Sequence, residues 1–159
     1  MPDEGSACLW YSSIDINIEI DPKIVIAHEV HKDPCMGKSV MDHEMKHVYV
    51  DRQIVNKYSK IMGDKVHRAL KQRGFIVGPI PVSQKEEAAD RMQREVFQII
   101  EREYKRMELD REDAQQAVDT VEEYDRVSAQ CPNFQQKLRE QEQKVHPHAQ
   151  YRPKYRRSN

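Results

Sequence analysis

The sequence predicts an α+β protein in which an N-terminal antiparallel strand hairpin packs on a long antiparallel helix pair. Three observations point there. In "YSSIDINIEI", Ile14, Ile16, Ile18 and Ile20 alternate with polar residues, the period of a half-buried strand. Two later stretches repeat apolar residues near helical spacing over many turns. Five glycines and a charged fraction of 33% suit extended helices with solvated faces more than a compact sheet.

The elements follow in order. After the first strand, Asp21-Pro22 makes a turn and "KIVIAHEVH", residues 23–31, reads as the returning strand. "KDPCMGK" is a loop. Ser39 with Asp42 three residues on resembles a capping box, so a helix is expected from Val40. Its apolar stripe runs Met41, Met45, Val48, Val55, Tyr58, Met62, Val66, Ala69 and Leu70, and Gly74 supplies the stop. "FIVGPIPV" reads as an extended connector. Ser83 and Glu86 form a second capping box. From there a stripe of Met92, Val96, Ile99, Met107, Ala114, Val118 and Val121 describes one long helix or two stacked pieces, ended by Cys131-Pro132. "NFQQKLREQEQK" is a polar helical extension. The tail "HPHAQYRPKYRRSN" is basic, with tyrosines interleaved, and reads as a solvated, disordered end. These boundaries give a domain over residues 8–131, followed by the extension and tail over 132–159.

At 159 residues the chain is long enough to bury a real core. A formal net charge of −1 gives the whole-molecule field no reason to attract nucleic acid. No apolar run approaches the roughly 20 residues of a membrane span, and "MPDEGSACLW" has no signal-peptide pattern. Cys8, Cys35 and Cys131 form no C-x-x-C pair, which argues against a cysteine-based zinc site. They leave two readings, one disulfide with a spare thiol or three reduced cysteines.

The stretch that carries chemistry is His43-Glu44-Met45-Lys46-His47, an H-E-x-x-H pattern near the start of the first helix. Residues i and i+4 share a helix face about 6 Å apart. His43 and His47 can therefore offer ring nitrogens to one tetrahedral Zn2+ at about 2.0–2.1 Å each. Glu44, beside the first ligand, can take a proton from water whose pKa the ion lowers to about 7, and return it to a leaving amine. Two solvated histidines on a charged helix are the plain alternative. Met45 and Val48 argue against that by giving the turn an apolar neighbour.

At these residues the chain resembles the zincin metallopeptidases, which place H-E-x-x-H on a helix after strands. It resembles more closely an uncharacterised bacterial family of putative zinc-dependent proteases, mostly exported, whose second long helix ends in Y-D-x-x-T-x-H-G. "HEMKHV" matches that family's first motif. In "QQAVDTVEEY", Asp119 falls on its aspartate, Glu122 on its threonine and Tyr124 on its histidine. That histidine, the family's natural third ligand, is lacking here. The resemblance implies zinc, peptidase activity and a zincin-like fold over residues 8–131.

A third ligand must come from elsewhere. Glu86-x-x-Ala89-Asp90 is like the third-ligand motif of some gluzincins. A first helix of about 45 Å, however, followed by a short connector, leaves Glu86 at the far end. Residues of 108–125 return beside the histidines instead. They include Glu108, Asp110, Glu112, Asp113, Asp119, Glu122, Glu123 and Asp125. Glu122 is the expected third metal ligand, because it borders the stripe and adjoins the family's ligand place. Glu123 points away on a regular helix, Asp119 orients a ligating histidine, and Tyr124 donates to a developing oxyanion. The same geometry brings Cys131 toward Cys35, whose other candidate partner is Cys8, and a bridge there points to an oxidising compartment. His28 and His31 lack ligand spacing and read as core or edge histidines.

The expected function is thus zinc-dependent hydrolysis of a peptide or protein substrate, with Glu44 as base and His43, His47 and Glu122 on the metal. The strand at 23–31 is expected to receive extended substrate by strand addition. The expected location is periplasmic or secreted, otherwise cytoplasmic. The rival readings are a non-catalytic helical interaction module and a degenerate peptidase that keeps its metal.

Overall fold

The computed structural model describes residues 5–145; the expected basic tail over 146–159 lies outside them. The fold is α+β, with an N-terminal antiparallel strand pair packed against long helices. In order the elements are β1 (Ser6–Trp10), α1 (His28–Lys32), α2 (Pro34–Arg73), β2 (Ile76–Pro81), a 3-10 turn (Val82–Gln84), α3 (Lys85–Gln116), α4 (Val121–Ala129) and α5 (Pro132–Val145).

The strands are not the ones the alternation marked. Ile14, Ile16 and Ile18 do turn inward on every second residue. Yet residues 12–27 pair with no other strand, and 28–32 form a helix. Period two reports extended backbone; it does not supply a partner. The ladder joins β1 to β2, the stretch expected as a connector, with Ala7 opposite Ile80 and Leu9 opposite Val77. Between those pairs Cys8 faces Gly78-Pro79, so β2 carries one residue more. Gly78 sits at φ +137°, and a Cβ there would lie 2.7 Å from the Ala7 carbonyl oxygen. We expect Gly78→Ala to destabilise this unit by roughly 1–3 kcal/mol, read as a lower urea midpoint at unchanged slope.

Helix α2 begins six residues before Val40. Asp33 caps it: Oδ1 accepts from the backbone N–H of Cys35 and of Met36, each at 3.1 Å. Pro34 occupies the first turn, where no N–H is needed. The hydrogen bond from Lys137 first, and then the Met36 amide, hold the Asp33 carboxyl below the usual carboxylate range. Ser39 is therefore inside the helix and buried; its hydroxyl donates to Gln130 Oε1 at 2.6 Å and lies 3.2 Å from the Val127 carbonyl oxygen. Ser83 likewise falls in the 3-10 turn, and α3 starts without a side-chain cap.

Two compact units divide the chain. One comprises the residues up to Lys23 with Lys46–Val118; the other comprises Ile24–Met45 with the segment from Asp119. In the first, α2 and α3 run antiparallel. Arg73 pairs with Glu95 at 3.3 Å, Lys57 with Asp110 at 2.7 Å and Arg111 with Asp51 at 2.7 Å. Its core holds Val55, Tyr58, Met62 and Met107 under Ile16 and Ile18, and Val66, Leu70 and Val96 under Ile14. In the second unit, Met36, Val127, Cys131 and Phe134 form the core. No described helix is long and apolar enough to cross a membrane.

Candidate metal centre

Helix α2 carries both histidines one turn apart, with no break between them. His43 is 6% exposed, whereas His47 and Glu44 are half-buried. Val48 is buried, but Met45 is 45% exposed, so the apolar neighbour of this turn is Val48 alone.

The second helix expected to return here stops at Gln116. The break at 117–120 ends in Thr120, whose side chain accepts from the Glu123 N–H at 3.1 Å and starts α4. Thr120-Val121-Glu122-Glu123 is a capping-box pattern that the reading of one continuous stripe passes over. It resets the helical phase. In consequence Glu122 is exposed, while Glu123 turns inward, the reverse of the phase a regular helix gives. Glu123 Oε1 lies 3.2 Å from His43 Nδ1, and Arg126 forks onto the same carboxylate, at 2.7 Å to Oε1 and 2.9 Å to Oε2. The Glu123 hydrogen bond raises the Arg126 guanidinium pKa.

Asp119, in the same break, places Oδ1 3.3 Å from His43 Nε2 and accepts from the Tyr124 hydroxyl at 3.2 Å. Tyr124 also stacks obliquely near His43, ring centroids 5.8 Å apart. The sequence placed Asp119 as an orienting acid and Glu122 as a ligand. The coordinates place Asp119 at Nε2 of His43 and Glu123 at its Nδ1.

His47 has its own acceptor. Gln115 Oε1 contacts His47 Nδ1, and the Gln115 amide donates to the His47 carbonyl oxygen at 3.1 Å and to Asp51 Oδ1 at 2.5 Å. Arg111 forks onto Asp51 at 2.7 and 3.4 Å. Gln115, Asp51 and Arg111 escaped the sequence reading. Asp51 nevertheless follows His47 at i+4, a signal that it shares that face.

Ligand atoms of His43, His47 and Asp119 all lie within 4.8 Å of one another. Ligands about 2.0–2.2 Å from a tetrahedral ion stand about 3.3–3.6 Å apart, a separation the His43–Asp119 pair already has. These three residues form a cluster able to coordinate a metal ion. Burial is uneven across it, since Asp119 is exposed. His28 and His31 are exposed on α1. Cys35 is bridged to Cys131, while Cys8 is free and exposed.

Compared with known proteins, the chain matches no family model, no curated protein and no solved structure. The geometry accordingly carries a generic zinc-type cluster and no family membership.

Proposed function

We propose that the chain is a zinc-dependent peptidase, with His43, His47 and Asp119 holding the ion and Glu44 as general base. The observation that carries this reading is the closeness of three donors, since ligand atoms of His43, His47 and Asp119 all lie within 4.8 Å of one another. Each histidine has an oxygen acceptor at Nδ1, from Glu123 or from Gln115. A proton on Nδ1 would turn the Nε2 lone pair toward an ion, the arrangement typical of ligating histidines. A three-ligand set leaves one position open, as catalytic zinc requires and closed structural zinc does not.

A bound Zn2+ would supply Lewis acidity toward water and a substrate carbonyl. The chain's own residues would do the rest. Glu123, clamped by Arg126, keeps the His43 ring oriented. Glu44 adjoins His43 in sequence and takes the water proton, then passes it to the departing amine. Glu122, the ligand expected from the stripe, faces solvent and has no part in this scheme. The Cys35–Cys131 bridge supports a location in an oxidising compartment, periplasmic or secreted.

One observation favours a non-catalytic metal module instead: 23–31, the strand expected to receive substrate, is not a strand. Glu44→Gln separates the two readings. A peptidase keeps one metal per chain in this variant while hydrolysis of a denatured protein substrate falls about 10²–10⁴-fold. If zinc-loaded wild type cleaves no better than the variant, the peptidase reading is lost and the metal module stands.

A further inference from the structure

We propose that the recess between α2 and α3 beside Lys65 and Arg102 is a binding site for a phosphate-type dianion. The recess stands apart from the metal cluster, since Lys65 follows His47 by five turns of α2, about 27 Å along the helix.

Two ion pairs fix how these helices face each other. Arg73 meets Glu95 at 3.3 Å, and Lys57 meets Asp110 at 2.7 Å. Midway between Lys57 and Arg73 on α2 is Lys65; midway between Glu95 and Asp110 on α3 are Arg102 and Glu103. At both outer positions a cation meets a carboxylate. The middle one differs. Glu103 turns inward to 4% exposure, where Arg106 holds it at 3.1 and 3.4 Å, so Lys65 comes opposite Arg102. Neither cation has an Asp or Glu three or four residues away on its own helix. Among the described residues neither joins an ion pair.

Both line one recess of about 250 Å3, together with Arg73, Arg106, Glu95 and Glu103. Ala69, one turn on from Lys65, is too short to fill it. The two carboxylates are committed to Arg73 and Arg106, which leaves two positive charges uncompensated. Like charges brought together cost stability, and an anion between them turns that repulsion into attraction. A guanidinium fork beside an ammonium suits a tetrahedral oxyanion. Ordinary small-molecule pockets measure about 300–1,000 Å3, so this smaller recess takes a dianionic head and little more. All these residues lie within one unit.

Calorimetric titration of the full chain with inorganic phosphate tests the site, at about pH 8 where the ion is a dianion and with chloride holding ionic strength constant. Wild type should bind one phosphate with a dissociation constant on the order of 1 mM or below. Lys65→Gln and Arg102→Gln should each weaken it about 10–100-fold. Arg94→Gln, outside the recess, should not. In phosphate-free, low-salt buffer both recess variants should melt no lower than wild type, because each removes a repulsion. A lower melting temperature in both would make the two cations structural partners and overturn the inference. So would the absence of saturable binding in wild type, or equal binding in Arg102→Gln. Glycerol phosphate as a second titrant separates the sources: equal affinity supports a site for the free ion, and tighter binding supports a small phosphomonoester.

Discussion

Replacing His43 with alanine is expected to remove divalent-metal binding, with zinc content falling from one per chain to background after dialysis. The loss should exceed the roughly 10–100-fold that follows from removing a hydrogen-bond partner of a ligand, because a ligand atom itself is gone. Two remaining ligands, one on an exposed residue, do not make a catalytic zinc site. The fold should survive. Glu123 would lose the ring but keep both Arg126 contacts, so no buried charge is left unpaired. Circular dichroism should therefore match wild type while calorimetric titration with Zn2+ goes flat. Equal zinc content in His43→Ala and wild type would end both the metal assignment and the hydrolytic mechanism built on it.

Loss of the Cys35–Cys131 bridge should be the largest stability effect in the molecule. The bridge spans 96 residues, and a loop of that length restricts the unfolded chain by about 4–5 kcal/mol; measured losses for native bridges run about 2–5 kcal/mol. Cys35→Ser is the cleaner variant, since Cys35 is exposed while Cys131 is buried among Met36, Val127 and Phe134. The effect should also reach the site. Along α2, Cys35, Ser39 and His43 are spaced by one turn each. They meet Cys131, then Val127 and Gln130, then Glu123, in reverse order along α4 and the two residues that follow it. Untying the first rung loosens the element that carries Glu123 and follows Asp119. Urea unfolding with and without reductant measures the first effect, and Zn2+ affinity of reduced protein measures the second. Cys8→Ser should change neither. Identical urea midpoints for oxidised and reduced wild type would refute the structural role of the bridge.

Parts of this were legible before any coordinates. The stripe from Val48 to Leu70 is buried where expected: Val48, Val55, Tyr58, Met62, Val66 and Leu70 all face inward. Antiparallel return of the second helix followed from helix length and a short connector, and it brings Gln115 to His47. Helix starts were misjudged at Ser39 and Ser83. A capping pattern reports what a residue can do, whereas Asp33 was placed to do it first. Glu123 was hidden by a break: without a stop after Gln116, phase carried forward from Met107 puts Glu122 on the inner face.

Sequence alone determined the periodicities and the spacing of His43 and His47, because both are set by local backbone geometry and need no distant partner. Tertiary structure decided which strand pairs with β1, which cysteine meets Cys35, which acids reach His43 and which side chain meets His47. Those choices are made between residues far apart in the chain, where loop closure and competing partners of the same chemistry outweigh any local preference.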